Sequence, residues 1–403
     1  MRISTQSFFE QSLQSMGLQQ QKLFKVQQQL ATNSKFLSAG DDPVGAARAL
    51  GVSQTLAEGA QFATSRQRAA LALSTEENAL DSVTSILQHV KTLVVQAGGG
   101  GLSDADRGSL ATAIQSSLEQ LVGVANSDNG SGQYLFAGYK SGSPPFVMAA
   151  GGGVQYVGDQ GERLMQIDVA RQMSTSDDGR SIFQSVQGGA KYVTSSPASN
   201  TGTGVFGAVS VSDATAANYG KDFTISFTGG NYSVQTKETP PTVVATGPYT
   251  EGTAITFGGL SMSVSGQPAD GDSFDVSTAR NAGTDIFATL GELVTALKKP
   301  LQGGGAEAQA ELLNALSTAN VKITNAHDNV LTIRASVGSR MSELEQLDSG
   351  GEARTLIDKS YLSEIEDLDY YDAISEFTQR QTALQAAQQT FVSLSGLALF
   401  KYL

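Results

Sequence analysis

The stretch MGLQQQKLFKVQQQLATNSKFLSAGDDPVG, residues 16–45, carries one narrow apolar stripe and then a stop. Met16, Leu23, Leu30 and Leu37 recur every seven residues, Phe9 extends the series upstream, and Gln, Ser and Lys fill the spaces. A stripe this narrow marks a helix that pairs with another helix. SAGDDPVG then interrupts it. Pro43 suits the first turn of a new helix, and Asp41 or Asp42 can cap that turn.

The other end of the chain repeats the pattern. Phe377, Leu384, Phe391 and Ala398 recur at seven, with Ala387 and Leu394 in the second heptad position. The tail SLSGLALFKYL adds Leu397, Leu399 and Phe400 around one charge, Lys401. Laid antiparallel with the termini together, residues 364–376 fall near residues 22–40. Glu364, Glu366, Asp367, Asp369, Asp372 and Glu376 are all acidic, whereas Arg2, Lys22, Lys25 and Lys35 stand against Glu10 alone. Flanking charges of opposite sign help choose partner and orientation in coiled coils. Each exposed pair is worth only about 0–1 kcal/mol, so the apolar seam would hold the pair and Lys22, Lys25, Lys35 and the facing acids would set its register. Two helices alone are marginal and leave apolar surface over. The stripe residues and the tail (Leu394, Leu397, Leu399, Phe400) are therefore expected to be an assembly interface with other copies of the chain.

Between the ends the period changes twice. Leu73, Leu80, Leu87 and Val94 stripe a helix from about Val44 to Ala97, stopped by GGGG at 98–101. A further helix follows through Leu110, Ile114, Leu118 and Leu121. NSDNGSGQYLFAGYKSGSPPF then reads as turn chemistry around an aromatic, strand-like core. From Phe146 to Ala279, alternation in DFTISFTGGNYSVQT, ITFGGLSMSVSG and GDSFDVST predicts hairpins of an all-β unit, with a loop-rich surface at 194–218. Helical period returns from Thr284, with a helix over 306–347 and, after DSGGEA, a last helix to the end. The predicted fold is α+β and multidomain: a long antiparallel helical bundle or coiled coil from both chain ends, with a central all-β domain inserted between the helical halves. The expected divisions are 1–43 with 352–403 (terminal coiled-coil region), 44–145 with 284–351 (helical bundle) and 146–283 (β-rich domain).

Composition narrows the function. The 403 residues carry a formal charge of −13, which disfavours a general phosphate-binding surface. Cysteine is absent, which excludes disulfides and thiolate metal sites. No stretch approaches the ~20 apolar residues of a membrane helix. The start lacks the apolar core of a secretory signal, so the chain is expected either to stay in the cytoplasm or to be exported without cleavage. GDSF (271–274) lacks a partnered Asp-x-x-His and reads as a turn between strands. Asp270, Asp272 and Asp275 lack the twelve-residue calcium loop and its final Glu, and read as turn residues. The glycine runs precede no Gly-Lys-Ser/Thr and read as helix stops. His89 and His327 read as ordinary helical residues. No catalytic, cofactor or metal residue is expected.

Several stretches together resemble the bacterial flagellins and hook-associated proteins. LATNSKFLSAGDDPVGAARAL (30–50) is similar to their N-terminal signature through Asp41, Asp42 and Pro43. RASVGSRMSELE (334–345) is similar to the C-terminal one through Arg334 and Gly338. GQYLFAGYKSGSPPF (132–146) resembles the segment leaving the helical domain, and FGGLSMSVSGQPADGDSFDV (257–276) a β segment common in hook-associated proteins. MRISTQSFF and DLDYYDAISEF resemble the hook–filament junction branch, and FLSAG at 36–40 departs from the flagellin pattern. The resemblance implies a non-enzymatic structural protein at the hook–filament junction, extracellular and serving as the platform on which flagellin polymerises. Its implied partners are copies of itself, the first junction protein, flagellin, a cytoplasmic export chaperone and the flagellar type III export apparatus. It also implies terminal helices that are disordered in the free monomer and order on assembly. The alternative within the family is a variant flagellin that forms the filament itself.

Overall fold

The computed structural model describes residues 5–149 and 153–399. In chain order these form α1 (Thr5–Thr32), α2 (Pro43–Ala97) and α3 (Asp104–Ala125), then β1 (Phe146–Met148), β2 (Val154–Tyr156), β3 (Leu164–Asp168), β4 (Arg171–Ser174) and the short α4 (Gly179–Phe183). Next come β5 (Val193–Ser195), β6 (Val205–Phe206), β7 (Ser210–Val211), β8 (Phe223–Thr228), β9 (Asn231–Thr236), β10 (Val243–Pro248), β11 (Ala254–Phe257), β12 (Leu260–Ser265) and β13 (Ser273–Ser277). The chain closes with α5 (Ile286–Lys298), α6 (Gly305–Glu366) and α7 (Tyr370–Leu399). The terminal helices thus bracket a central β-rich region. Two compact units emerge, residues 1–64 with 346–403 and residues 65–345, and their division falls inside α2 and α6.

In unit 65–345 the predicted helical stripes are core. Leu73, Leu80, Leu87 and Val94 of α2 are buried, as are Leu110, Ile114, Leu118 and Leu121 of α3. Helix α3 opens with a capping box: Ser103 and Asp106 exchange side-chain-to-backbone hydrogen bonds, which satisfies two otherwise orphaned N–H groups. It packs on α5, whose Leu290, Leu293 and Leu297 are buried. The turn-rich stretch after α3 forms no strand before Phe146. Its aromatic core residue Phe136 is fully buried and sits edge-to-face on Phe183, at 5.7 Å between ring centroids.

The β region folds as two larger sheets, β10-β9-β8-β13-β5 and β11-β12-β6 with β7 added to β12, and two two-stranded ones, β1-β2 and β3-β4. Alternation puts Phe223, Ile225 and Phe227 of β8 and Leu260, Met262 and Val264 of β12 into one core with Phe274 and Val276. Gly229 and Gly230 join β8 to β9 with φ 58° and 75°, the paired positive values that a two-residue hairpin turn demands.

Helix α6 holds this region by polar groups on one face. Asn314 accepts from Phe206 N (3.1 Å) and donates to Gly204 O (2.9 Å). Thr318 donates to Thr194 O (2.7 Å), and Asn325 accepts from Lys191 N (3.1 Å) and donates to Lys191 O (2.9 Å). Asn329 donates to Ser181 O (2.8 Å) and Ile182 O (3.1 Å). The spacing of four, seven and four residues keeps these side chains on one helical stripe. Each side chain supplies main-chain groups of the facing segments with hydrogen-bond partners.

One expected break is absent and another appears. Helix α6 runs unbroken through DSGGEA to Glu366, so the expected end near residue 347 is corrected. Two helical glycines cost about 1 kcal/mol each against Ala, which a 62-residue helix absorbs. The chain breaks instead at residues 367–369, where backbone groups are diverted to a neighbouring segment.

Candidate assembly interface

In unit 1–64 with 346–403, α1 and α7 pack together as an antiparallel pair. Two observations set the register. Ser34 bridges Asp367 in antiparallel fashion, and the Phe9 and Phe391 rings lie 4.8 Å apart. Met16, Ala387 and Phe391 line one groove, in agreement. Besides Gln29, whose amide donates to Lys35 O in the turn, the more buried positions on α1 are Ser12, Met16, Gln19, Leu23, Val26 and Leu30, and on α7 Ala373, Phe377, Arg380, Leu384, Ala387 and Phe391. Both series step by three and four, the a/d seam of a coiled coil. Val26 (4% exposed) and Ala373 (6%) are the most buried, and neither belongs to the seven-residue series read from the sequence. Their signal was the second heptad position, three residues after Leu23 and four before Phe377.

The seam consumes most of the expected interface residues within one chain. Met16, Leu23, Leu30, Phe377, Leu384 and Phe391 face the partner helix and are partly covered. Leu37 lies beyond α1 and stays exposed. The side chains of Leu394, Leu397, Leu399 and Phe400 lie outside the described residues. Outward-facing large apolar residues instead include Leu13, Leu18 and Phe24 on α1 and Tyr371 (85% exposed), Ile374 and Val392 on α7. Sequence periodicity passed over these because they fall off the heptad.

The turn after α1 fixes how the helices meet. Asn33 adopts a left-handed φ of 54°, which ends the helix. Lys35 N then donates to Glu366 O (2.8 Å), Leu368 N donates to Asn33 O (3.4 Å), and the Lys35 ammonium reaches Glu364 O. These bonds divert the α6 backbone and explain the break at 367–369. Asp369 caps α7 by accepting from Tyr371 N (2.9 Å) and Asp372 N (3.3 Å), and Asp372 lies in that helix's first turn, where a negative charge is favoured.

The expected register-setting charges are therefore used differently. Lys25 pairs with Asp41 at 2.6 Å, inside its own N-terminal segment. That ammonium, with Leu37 N–H and Ser38 N–H, holds the Asp41 carboxyl below its ordinary range. Lys22 makes no ion pair among the described residues, and Glu364, Glu366 and Asp367 meet the α1 turn through main-chain groups. Chain geometry, not charge pairing, makes the contacts at this level.

Asp42 accepts from Val44 N (3.2 Å) and Gly45 N (2.9 Å), which caps α2 with Pro43 at its first position. A Cβ on Gly45 would collide with the Asp42 carboxylate, so a larger residue there would displace the capping side chain. The C-terminal signature serves the other unit. Arg334 on α6 binds Glu77 (2.6 Å), Asp81 (2.9 Å) and Thr84 Oγ1 (3.3 Å) on α2, while Gly338 has open space where a side chain would be.

The acidic residues of the β region are internally satisfied, and Asp275, expected in a turn, lies within β13 instead. Asp272, 2% exposed, accepts from Thr201 N (2.8 Å), Gly202 N (2.9 Å) and Ala269 N (2.9 Å). Asp270 accepts from Gly229 N (2.8 Å), and Asp275 from Thr224 Oγ1 (2.7 Å) and Lys237 (2.9 Å). Among the described residues no three His, Cys, Asp or Glu side chains gather as a metal site, and no helix is long and apolar enough to cross a membrane.

Comparison with known proteins follows the same outline. Residues 3–141 match the bacterial flagellin N-terminal helical region, 195–278 the D2-like domain of flagellar hook-associated protein 1, and 321–403 the bacterial flagellin C-terminal helical region. The chain is 30% identical over 401 residues to flagellar hook-associated protein 3 of Salmonella typhimurium, across 100% of this chain and 99% of that protein. Among solved structures it is similar to FlgL from Xanthomonas campestris, with TM-score 0.68 and 29% identity over 77% of this chain and 99% of that one. The flagellar junction protein FlgL from Legionella pneumophila also has TM-score 0.68, with 27% identity over 79% of this chain and 99% of that one.

Proposed function

The chain belongs to the family of flagellar hook-associated protein 3, a structural flagellar family, and from that premise we propose that it joins the flagellar hook to the filament. It assembles through its paired terminal helices and offers the platform on which flagellin polymerises. The supporting observation is the two-sided character of the α1–α7 pair. One stripe closes the pair internally, and a second set of apolar side chains, Leu13, Leu18, Phe24, Tyr371, Ile374 and Val392, remains exposed. Surface of that kind marks contact with another protein.

In this reading the partners are further copies of the chain, the first junction protein on the hook side and flagellin on the filament side. A cytoplasmic chaperone and the type III apparatus deliver it to the outside of the cell without a cleaved signal. The domain roles follow: 1–43 with 352–403 polymerise and are disordered in the free monomer, 44–145 with 284–351 form the helical bundle, and 146–283 faces outward. Flanking Lys22, Lys25, Lys35, Glu364, Glu366, Asp367, Asp369 and Asp372 refine the register in the assembly, and the apolar tail at Leu394, Leu397, Leu399 and Phe400 completes the contact.

Deleting the gene tests the role. A cell that keeps its hook and secretes unpolymerised flagellin fits a junction protein, and normal filaments on the deleted strain would refute it. Limited proteolysis of the monomer tests the disordered ends. Removal of roughly the first and last 40 residues is expected, and uniform resistance would contradict it.

A further inference from the structure

Glu76 is a carboxyl group on α2 that the assembly role does not use. It is 2% exposed. Its Oε1 accepts from Asp177 N (3.0 Å), and its Oε2 is buried without a hydrogen-bond partner. Asp177 lies in the segment Ser174–Gly179, which carries the chain from the β3–β4 hairpin to α4. That segment is pinned on several sides. Arg340 of α6 donates to Ser174 O (3.0 Å) and pairs with the Asp177 carboxylate. Arg163 Nε donates to Ser176 Oγ (3.2 Å), and Thr175 N donates to Arg163 O (2.9 Å). Thr175 and Ser176 are themselves buried. The hairpin is held further by Arg66, which donates to Ile167 O (3.2 Å), and by the pair of Arg171 and Glu343 (2.7 Å).

Charge balance at this point is unfavourable to an ionised Glu76. Asp177 from the docked segment and Arg340 from α6 already form a closed pair, and on α2 itself Glu77 is turned to Arg334. A second buried carboxylate would face one guanidinium that is already engaged, and an unpaired buried charge is costly. Burial first, and then the Asp177 carboxylate beside it, push the Glu76 carboxyl up to about 8, against the opposing pull of Asp177 N–H and Arg340.

We propose that Glu76 is a proton-operated latch: protonated, it lets Ser174–Gly179 dock between α2 and α6, and ionised, it favours release of that segment and of the β3–β4 hairpin it anchors. The direction follows from linkage. The docked state binds the Glu76 proton more tightly than the open state, where the carboxyl titrates near its ordinary 4.5. Docking is therefore complete at low pH and weakens as pH rises from about 5 to 8. Within that window the opening equilibrium grows about tenfold per pH unit for one proton, and roughly a thousandfold or more in all. Above about 8 it levels off, because both states are then ionised.

Hydrogen exchange of the full chain between pH 5.5 and 9 tests the latch, read as protection factors that remove the intrinsic pH dependence of exchange. The Thr175, Asp177 and Gly179 amides are expected to lose about tenfold protection per pH unit up to about pH 8 and then to level off. Core amides of β8 and α3 should keep theirs. Glu76→Gln should abolish the slope at the segment. Asp177→Asn, which keeps the donating N–H but removes the neighbouring carboxylate, should preserve the slope and end it at lower pH. Flat protection in the native chain, or an unchanged slope in Glu76→Gln, would overturn the proposal. If Glu76→Gln does not fold, a slope in Asp177→Asn that ends at the native pH would overturn it equally.

Discussion

Replacing Asn314 with alanine is expected to destabilise unit 65–345 by about 2–4 kcal/mol, far more than loss of a polar helix residue ordinarily costs. Asn314 is 3% exposed, and its amide bonds two main-chain groups of the β region. Phe206 N donates to its oxygen at 3.1 Å, and its nitrogen donates to Gly204 O at 2.9 Å. Truncation leaves both main-chain groups buried and unpaired, at about 1–3 kcal/mol each. A water entering the space left by the side chain would hold the cost toward the lower end. Asn314→Leu separates this cause from simple packing. It restores the branched shape, excludes the water and satisfies neither group, so it should be at least as damaging as alanine. Urea unfolding read by near-ultraviolet dichroism gives the free energies, and calorimetry should show melting roughly 3–7 °C lower for a unit of this size. Exchange at the Phe206 amide should rise in both variants. A leucine variant as stable as the native chain would refute the reasoning, because it would show that Asn314 matters for volume alone.

Three further outcomes can be measured. The absence of native cysteine allows clean crosslinking: Ser34→Cys with Asp367→Cys should form a disulfide on mild oxidation, visible as a mobility shift. Since Phe9 meets Phe391, Lys22, thirteen residues on, falls opposite Thr378, thirteen residues back, so Lys22→Cys with Asp372→Cys lies about 9 Å out of step and should crosslink weakly. Leu18→Ser, Phe24→Ser and Ile374→Ser together should change monomer melting by no more than about 1 kcal/mol per site yet abolish assembly by sedimentation and electron microscopy, whereas Leu23→Ser with Phe377→Ser should also reduce the helicity gained when the terminal helices order, read by circular dichroism. Glu76 predicts a global effect as well. Because its folded-state proton affinity is raised, its stabilisation is fully present below about pH 4.5 and declines up to about pH 8, by roughly 3–5 kcal/mol, and Glu76→Gln should flatten that decline in denaturant titrations. The Asp41 and Glu343 carboxyls are held low by Lys25 and Arg171, so their small contributions act in the opposite sense and vanish only in acid.

Much of the architecture was legible because it rests on apolar period. The stripes of α2 and α3 and the alternation of β8 and β12 are each buried where the pattern implied, since burial of a repeated face is what periodicity encodes. The polar ladder on α6 was illegible for a matching reason. Asn314, Asn325 and Asn329 carry no apolar period, and only the backbone groups of distant segments reveal their work. The break at 367–369 escaped in the same way. Gly350 and Gly351 suggested an end that propagation carried through, while the actual break depends on main-chain bonds from Lys35 and Asn33, more than three hundred residues earlier.

The terminal helices show a subtler failure, and it bears on function. Leu23 and Phe24 are adjacent, so they point about 100° apart around the helix and cannot both enter one two-helix seam. Leu18, two residues and about 200° from Met16, and Ile374 beside Ala373 pose the same conflict. In the structure Leu23 and Ala373 turn to the partner helix, whereas Phe24 is 59% exposed and Ile374 54%. A sequence designed only for a closed pair would place Gln or Lys at those outer positions, as α1 does at Lys22 and Gln28. Keeping large apolar residues there lowers solubility without helping the pair, and so makes sense only if a further surface covers them. The second stripe, not the heptad that first draws the eye, is thus where assembly should be sought, and that is why the triple serine variant at Leu18, Phe24 and Ile374 separates pairing from polymerisation.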